Sequence, residues 1–279
     1  MNVQAVGKPE GFEIKPRNLN FDIERVAATD WHGGSPVRTA LFNALSLMFP
    51  VGEQFFIDSV KKFRGGITDP VLSSEIRGFT AQEAVHSREH RRYNEIVCAA
   101  AGLNVEDVEK PIRGRILWAE KHRKPLEHLA MTVAYEHLTA ILSDAMFRNE
   151  STLQGAHPKM KELWLWHGLE ETEHKAVAFD VYVASGGTVG LRRRALIIVT
   201  VNITRDLIRN MRRLLKNRKI STFLIWREAF GFIFGKHGAL KGIWQPYRDF
   251  YRRSFHPWDH PSELAIRYRG GDEGEPWFI

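Results

Sequence analysis

The sequence has little cysteine and no long apolar run. Cys98 is the only cysteine among 279 residues, so neither an internal disulfide nor a cysteine-based zinc or iron–sulfur site can form. A secretory signal has an apolar run behind a basic head, and residues 1–21 contain no such pattern. The longest apolar run in the second half, 195–201, is far shorter than the roughly 20 residues of a membrane-spanning helix. We therefore expect a cytoplasmic protein without a transmembrane anchor.

Acidic residues are scarce in one part of the chain. The segment 191–253 contains 16 lysines or arginines and only three acidic residues, although the net charge of the whole chain is +7. Such a segment is either a solvated helical face or a contact for an anionic surface, for which we favour the inner face of the membrane. Nucleic acid is not an expected partner, because the segment lacks a helix-turn-helix or aromatic stacking pattern.

The spacing of apolar residues predicts an all-α protein with four long helical segments, at about 37–63, 70–101, 115–149 and 158–184. Pro50 either kinks the first segment or opens a new helix, and the dozen residues before the third could carry a crossover connection. Shorter amphipathic helices follow at about 189–217, 220–234 and 242–254. We therefore predict an arm at 1–35, a helical bundle at 36–187, and a basic C-terminal helical extension with a polar tail at 188–279.

Two of the long segments carry the same short motif, Glu-x-x-His. Glu83 and His86 form it in the second segment, and Glu171 and His174 form it in the fourth. Residues at i and i+3 lie one turn apart on one helix face, so both side chains can reach one ion. The first and third segments add one glutamate each on an apolar stripe, Glu53 and Glu136.

This ligand pattern is typical of ferritin-like proteins with two metal ions in a carboxylate site. Four carboxylates that converge in an apolar core need compensating cations, because an unpaired buried carboxylate costs several kcal/mol. We therefore predict a ferritin-like four-helix bundle with additional C-terminal helices and two bound metal ions. A donor set without thiolate favours iron, with manganese, a mixed manganese–iron pair or zinc as alternatives. A buried polar network without metal is the simpler alternative.

Two further histidines lie one helical turn from the predicted ligands. His90 follows His86 by four residues, and His167 precedes Glu171 by four. Each could be an extra ligand, a hydrogen-bond partner of a ligand, or a histidine satisfied within the core.

Four runs around the predicted ligands resemble a known bacterial family, the one described as predicted metal-dependent hydrolases. The runs are FPVGEQFF at 49–56, QEAVHSREH at 82–90, YEHLTA at 135–140 and WHGLEETEHK at 166–175. The resemblance spans about residues 30–250 and shows no departure at the six ligand positions. It implies metal-dependent hydrolysis without naming a substrate.

The ligand set itself leads us to a different first hypothesis for the reaction. A carboxylate-rich pair of iron ions buried in a bundle suits O2 reduction, which predicts an O2-dependent oxidase, oxygenase or desaturase. Its partners would be a small apolar substrate, O2 and an electron donor. The alternatives are a metal-dependent hydrolase, as the resemblance implies, and non-catalytic iron handling as a ferroxidase or store. A homodimer is compatible with the sequence but not required by it.

Overall fold

The computed structural model describes residues 12–263, and within that range the protein is all-α, which confirms the predicted fold class. Residues 1–11 and 264–279, which hold the beginning of the predicted arm and the polar tail, lie outside the described residues. The helices are α1 (Pro36–Ser46), α2 (Phe49–Lys61), α3 (Pro70–Ala101), α4 (Val105–His122), α5 (Pro125–Arg148), α6 (Pro158–His174), α7 (Val177–Ala184), α8 (Val189–Leu215), α9 (Thr222–Phe234) and α10 (Trp244–Asp249).

Proline decides two of the helix boundaries. Pro50 occupies the first turn of α2, so it opens a new helix instead of kinking one long helix. The predicted third segment is likewise two helices, because Pro125 begins α5 and disfavours the α conformation at the residue before it. The dozen residues before that segment are largely helical, since they form the first part of α4, whose N-cap is Asn104. That they carry a crossover connection stays a prediction.

Two other predicted helices are shorter than expected. The fourth segment is interrupted between His174, the last residue of α6, and Val177, the first of α7. Near the C-terminal end, α10 covers only Trp244–Asp249 of the predicted 242–254. By contrast, α3 runs from its Asp69 cap to the left-handed Gly102 as predicted.

Helices α2, α3, α5 and α6 pack around a common interior, with α8 against α1 and α5 on the outside. Along α3, Ile76 and Phe79 belong to one apolar core cluster, whereas Tyr93 and Val97 belong to another. Between these two pairs α3 carries buried polar side chains, among them Glu83 and His86. A buried polar layer therefore separates two apolar cores. The ferritin-like connectivity and the division into arm, bundle and extension stay predictions.

The described part of the arm, 12–35, has no regular helix but packs onto the helices. Phe21, Ile23 and Trp31 are buried in the second apolar core cluster. Within the described residues one stretch, Pro36–Gly66, is long and apolar enough to cross a membrane, but 67% of its most apolar 18-residue window is buried inside the protein. Burial of this kind is typical of a core helix in a soluble protein, so the stretch is weak evidence for a membrane span.

The basic segment is not uniformly on the surface. Arg192 is buried, its guanidinium donates to the backbone oxygen of Arg252, and it lies over the rings of Phe179 and Phe250. Arg194, two residues later, is exposed. The three consecutive arginines at 192–194 therefore do not act as one surface cluster.

Candidate metal centre

The six predicted ligands come from four helices and face one another in the buried polar layer. Ligand atoms of five of them form two groups, and within each group these atoms lie within 4.8 Å of one another. The first group also contains His167, one of the two additional histidines. The groups are Glu53, His86 and His167, and Glu83, Glu171 and His174. Glu136 borders the second group, because its Oε2 lies 3.4 Å from Nε2 of His174. None of these residues is more than 4% exposed.

Most of the inward-facing atoms in this layer are acceptors without a donor. Both carboxylate oxygens of Glu53, Glu83 and Glu136 are buried without a hydrogen-bond partner, as are Glu171 Oε2, His86 Nδ1 and His174 Nε2. The closest approach, 3.2 Å between His174 Nε2 and Glu83 Oε1, lacks hydrogen-bond alignment. Buried polar atoms are normally paired, and an unpaired buried carboxylate is costly. Oxygen and imidazole donors converging in this way fit divalent transition-metal ions.

A carboxylate fixes the proton on the first ligand imidazole. Nε2 of His86 lies 3.1 Å from Oε2 of Glu170 and donates to it, because an ionised carboxylate can only accept. In the neutral ring the other nitrogen, Nδ1, is unprotonated, and it faces the site, 3.5 Å from Glu171 Oε1. Burial acts to lower the pKa of His86, but the hydrogen bonds to Glu170 and Glu171 raise it to about 10, so a metal ion at Nδ1 would displace a proton. Glu170 therefore sets the tautomer that a metal ligand needs.

An amide fixes the second ligand imidazole through the opposite ring nitrogen. Gln82 Nε2 donates to Glu173 Oε2 at 2.8 Å, which turns the amide oxygen of Gln82 toward His174. Nδ1 of His174 donates to that oxygen at 2.9 Å. In the neutral ring the remaining nitrogen, Nε2, presents its lone pair to the carboxylates of the second group. Burial acts to lower the pKa of His174, but Glu136 and Glu171 raise it well above the ordinary value, so a metal ion at Nε2 would also displace a proton.

A chain of hydrogen bonds sets the tautomer of His167. Ser46 Oγ donates to Asn94 Oδ1 at 2.6 Å and therefore accepts from Nδ1 of His90 at 2.8 Å. Nε2 of His90 is then unprotonated and accepts from Nδ1 of His167 at 3.1 Å. This leaves Nε2 of His167 with a free lone pair, 3.5 Å from Glu171 Oε1. His167 thus has the orientation of a ligand, whereas His90 has that of its hydrogen-bond partner.

The charged groups in the buried polar layer shift one another's pKa values. Burial, followed by repulsion from Glu83, raises the pKa of Glu53 well above its ordinary value. Burial also acts to raise the pKa of Glu171, but the His174 ring outweighs it and holds that pKa well below the ordinary value. Burial lowers the pKa of His167 to about 3, which keeps this imidazole neutral. A metal binds ionised carboxylate and neutral imidazole, so metal binding here would release protons from Glu53 and from the imidazoles of His86 and His174.

The arm supplies a cation that the sequence motifs do not indicate. Nη1 of Arg17 donates to Glu170 at 3.1 Å and to Glu173 at 2.9 Å, and Nη2 donates to Glu173 at 2.7 Å. Glu170 directly precedes the second Glu-x-x-His motif and Glu173 lies within it, so both are neighbours of candidate ligands along the chain. No sequence signal marks Arg17, because its partners lie more than 150 positions along the chain.

A cavity of about 450 Å³ adjoins the layer and is lined by residues of several helices. His167 lies in its wall, together with Phe49, Gly52 and Phe56 of α2. A surface groove along α8, lined by residues between Thr200 and Lys216, has none of the candidate ligands in its lining. The cavity wall contains His167, so the cavity reaches the edge of the first group of ligand atoms.

Comparison with known proteins bears on the reaction. A model of the family described as "Predicted metal-dependent hydrolase" matches residues 15–261. No curated protein and no solved structure matches the chain. The prediction of an O2-dependent oxidase, oxygenase or desaturase is wrong, because the matching family is described as hydrolytic and nothing found here points to O2 chemistry. A carboxylate-rich ligand set alone does not determine the reaction, since hydrolytic and redox sites both use such ligands.

Proposed function

We propose that this chain, which belongs to the family of predicted metal-dependent hydrolases, hydrolyses its substrate at a centre of two divalent cations. The observation that supports this is the set of buried acceptor atoms that converge without donors. The proposed ligands are those in the two groups together with the bordering glutamate: Glu53, Glu83, His86, Glu136, Glu171, His174 and, as an additional ligand, His167.

Cations bound there would supply Lewis acidity, which lowers the pKa of water and polarises a carbonyl or phosphoryl oxygen. The protein contributes orientation: Glu170 and Gln82 hold the protons of His86 and His174 on the nitrogens that face away from the centre. The two apolar clusters on either side limit access of bulk water, which strengthens electrostatic interactions within the layer.

The donor set is compatible with iron, manganese or zinc. Hydrolysis requires no change of oxidation state, so we expect each metal that fits the site to support it to some degree. Iron, which the sequence favoured, is our proposal for the metal bound when iron is supplied.

The metal test uses one ligand variant from each motif and one matched control. Purified wild-type protein reconstituted with Zn²⁺, Mn²⁺ or Fe²⁺ should hold close to two ions per chain by elemental analysis. Glu83→Gln and His174→Ala should lose most of this metal while keeping their helicity by circular dichroism. Glu95→Gln, an exposed glutamate on the same helix as Glu83, should keep it. Full metal content in both ligand variants would contradict the ligand assignment.

The activity test separates hydrolysis from O2 chemistry. Ester, amide and phosphodiester substrates are incubated anaerobically with metal-loaded and chelator-treated protein. We expect turnover of at least one substrate class that depends on metal and is the same with and without O2. Turnover that requires O2, or that persists without metal and in the ligand variants, would contradict the proposal.

His90 and His167 can be distinguished by the same metal analysis. His167→Ala should lower the metal content or the metal affinity, since it removes a lone pair aimed at the first group. His90→Ala should retain more metal than His167→Ala, because it removes only the partner that fixes the His167 tautomer. Equal metal affinity in wild type and His167→Ala would mean that His167 is only a core histidine.

A further inference from the structure

The cavity beside the metal centre has an apolar interior that continues between helices. Tyr135, Thr139 and Leu142 of α5 line it at helical spacing. From the other side, α8 contributes Ile203 and Leu207. These five residues are only partly buried, which fits an open space between α5 and α8.

The outer end of the cavity lies where α9 and α10 meet the surface. Phe234 and Trp244 line it there, and they are 48% and 58% exposed. Arg115 is the basic residue in the wall, and its guanidinium pairs with both carboxylate oxygens of Asp206. Because Asp206 neutralises that charge, the wall residues that the structure describes include no unpaired arginine or lysine for an anionic substrate.

We infer that this cavity binds the apolar chain of the substrate, so that the hydrolysed bond is an ester or amide of a medium- or long-chain acid. The inference rests on the proposed hydrolytic function. Water adds across the bond between the acyl carbon and oxygen or nitrogen, and the products are the acid and an alcohol or amine. The volume of about 450 Å³ falls within the range of small-molecule sites, roughly 300–1,000 Å³.

Binding of the product acids tests the cavity without requiring catalysis. Saturated carboxylic acids of increasing chain length displace a fluorescent fatty-acid probe from the full-length protein, both metal-loaded and metal-free. Each added methylene should tighten binding by roughly fourfold until the cavity is full. Ile203→Trp should weaken binding of the longer acids at least tenfold by filling the cavity. Ile197→Trp, an exposed position on the same helix outside the wall, should not.

Two outcomes would overturn the inference. One is affinity that does not depend on chain length, and the other is equal affinity in wild type and Ile203→Trp. Hydrolysis of short esters with either outcome would leave the proposed function standing while removing the apolar-chain substrate. Chain-length-dependent binding without any hydrolysis would support the cavity and contradict the hydrolase.

Helix α9 is apolar on its buried face and also along a stripe of its exposed face. Ala229 is buried against α1, yet Phe223, Phe230 and Phe234 form an exposed stripe at helical spacing, 72%, 66% and 48% exposed. Arg227 lies in the same stripe with its guanidinium over the Phe223 ring. A surface helix normally keeps its outer face polar, so this stripe is suited to contact with an apolar phase.

The exposed face of α8 combines apolar and basic residues in the same way. Ile197 and Val201 are more than half exposed, and Arg205 and Arg212 follow them at helical spacing. Thr200 lines both the groove along α8 and the cavity, as does Thr204, so the basic face and the cavity opening adjoin. Lys236 and Lys241 flank the outer end of the cavity and are exposed.

We propose that the exposed faces of α8 and α9 dock on an anionic lipid bilayer. The aromatic stripe enters the interface, the arginines and lysines contact lipid phosphates, and the cavity opens toward the source of apolar chains. Each Lys or Arg close to such a bilayer adds roughly fivefold to the affinity, and this contribution is screened by salt.

Co-sedimentation with vesicles tests the docking. We compare vesicles of neutral phosphatidylcholine with vesicles containing phosphatidylserine, at low and at high salt. Binding should require phosphatidylserine, weaken at high salt, and fall roughly tenfold or more in the double variant Phe223→Ser/Phe230→Ser. Val71→Ser, an exposed apolar residue on α3, should bind like wild type. Absence of binding to phosphatidylserine vesicles at low salt, or equal binding by the double variant, would overturn this proposal.

Discussion

Replacement of Arg17 by leucine tests whether the arm is an integral part of the buried polar layer. The guanidinium compensates two carboxylates, Glu170 and Glu173, whose side chains are at most 1% exposed, while its own side chain is 17% exposed. Burial acts to lower the pKa of Arg17, but the two glutamates raise it overall, as expected for a pair that stabilises its own charges. Loss of the cation would leave two buried negative charges beside the ligands.

The loss of stability in Arg17→Leu depends on which hydrogen bonds Glu170 and Glu173 keep. Removal of one partner from a buried ion pair costs about 3–5 kcal/mol. Glu173 keeps the amide of Gln82 at 2.8 Å, and Glu170 keeps the backbone N–H of residue 17 at 2.9 Å and the ring of His86. We therefore expect the lower end of that range, a loss of about 3 kcal/mol in the free energy of unfolding.

Urea denaturation of metal-free protein, followed by circular dichroism, measures this loss. Arg17→Lys keeps the charge but not the two-pronged geometry, so it should lose less than Arg17→Leu. Lys15→Leu is the matched control on the arm, because the Lys15–Glu13 pair is exposed on both sides and contributes about 0–1 kcal/mol. A loss below about 1 kcal/mol in Arg17→Leu, equal to the control, would refute the role of the arm.

Three further predictions concern the ligands, the packing and the metal. Glu170→Gln should weaken metal affinity about 10–100-fold in a chelator competition, because glutamine would no longer fix the His86 tautomer. Glu162→Gln on the same helix is the control. Unchanged affinity in Glu170→Gln would contradict the role assigned to Glu170. Gly78→Ala should cost about 1–3 kcal/mol in urea denaturation, because its Cβ would lie 2.6 Å from the backbone oxygen of Ile14. Gly114→Ala, which meets no atom within 4 Å, should instead be neutral or stabilise; equal effects of the two glycine variants would show that the arm does not pack as described. Metal removal should lower the melting temperature in a thermal scan. Metal at 1,000 times its Kd should restore about 4 kcal/mol of the free energy of unfolding. A melting temperature that does not respond to metal would argue against a buried metal centre.

The candidate ligands were predictable because they obey a local rule. A glutamate and a histidine three residues apart share one helix face wherever that helix packs, so Glu83–His86 and Glu171–His174 could be paired from spacing alone. The apolar stripes around Glu53 and Glu136 predicted in the same way which faces turn inward. The helix starts at Pro70 and Pro158 were equally local, since proline at the first turn follows from the chain itself.

The reaction could not be derived from those ligands. Carboxylate and imidazole surround metal ions in hydrolytic and in redox sites alike, so the sequence pattern led to an oxidase, whereas the matching family is described as predicted metal-dependent hydrolases. The substrate that we propose likewise depends on the shape of the cavity, which is built from residues of six or more separate segments.

The sequence by itself determined the all-α class, most of the long helices and which six candidate ligands turn inward, because these depend on periodicity within single segments. Only the tertiary structure decided that His167 joins the first group, that Ser46 and His90 fix its tautomer, and that Arg17 compensates Glu170 and Glu173. Contacts of this kind join residues dozens to more than a hundred positions apart, and no local spacing rule connects such residues. They exist because the packed helices bring acceptors and donors together where water cannot satisfy them.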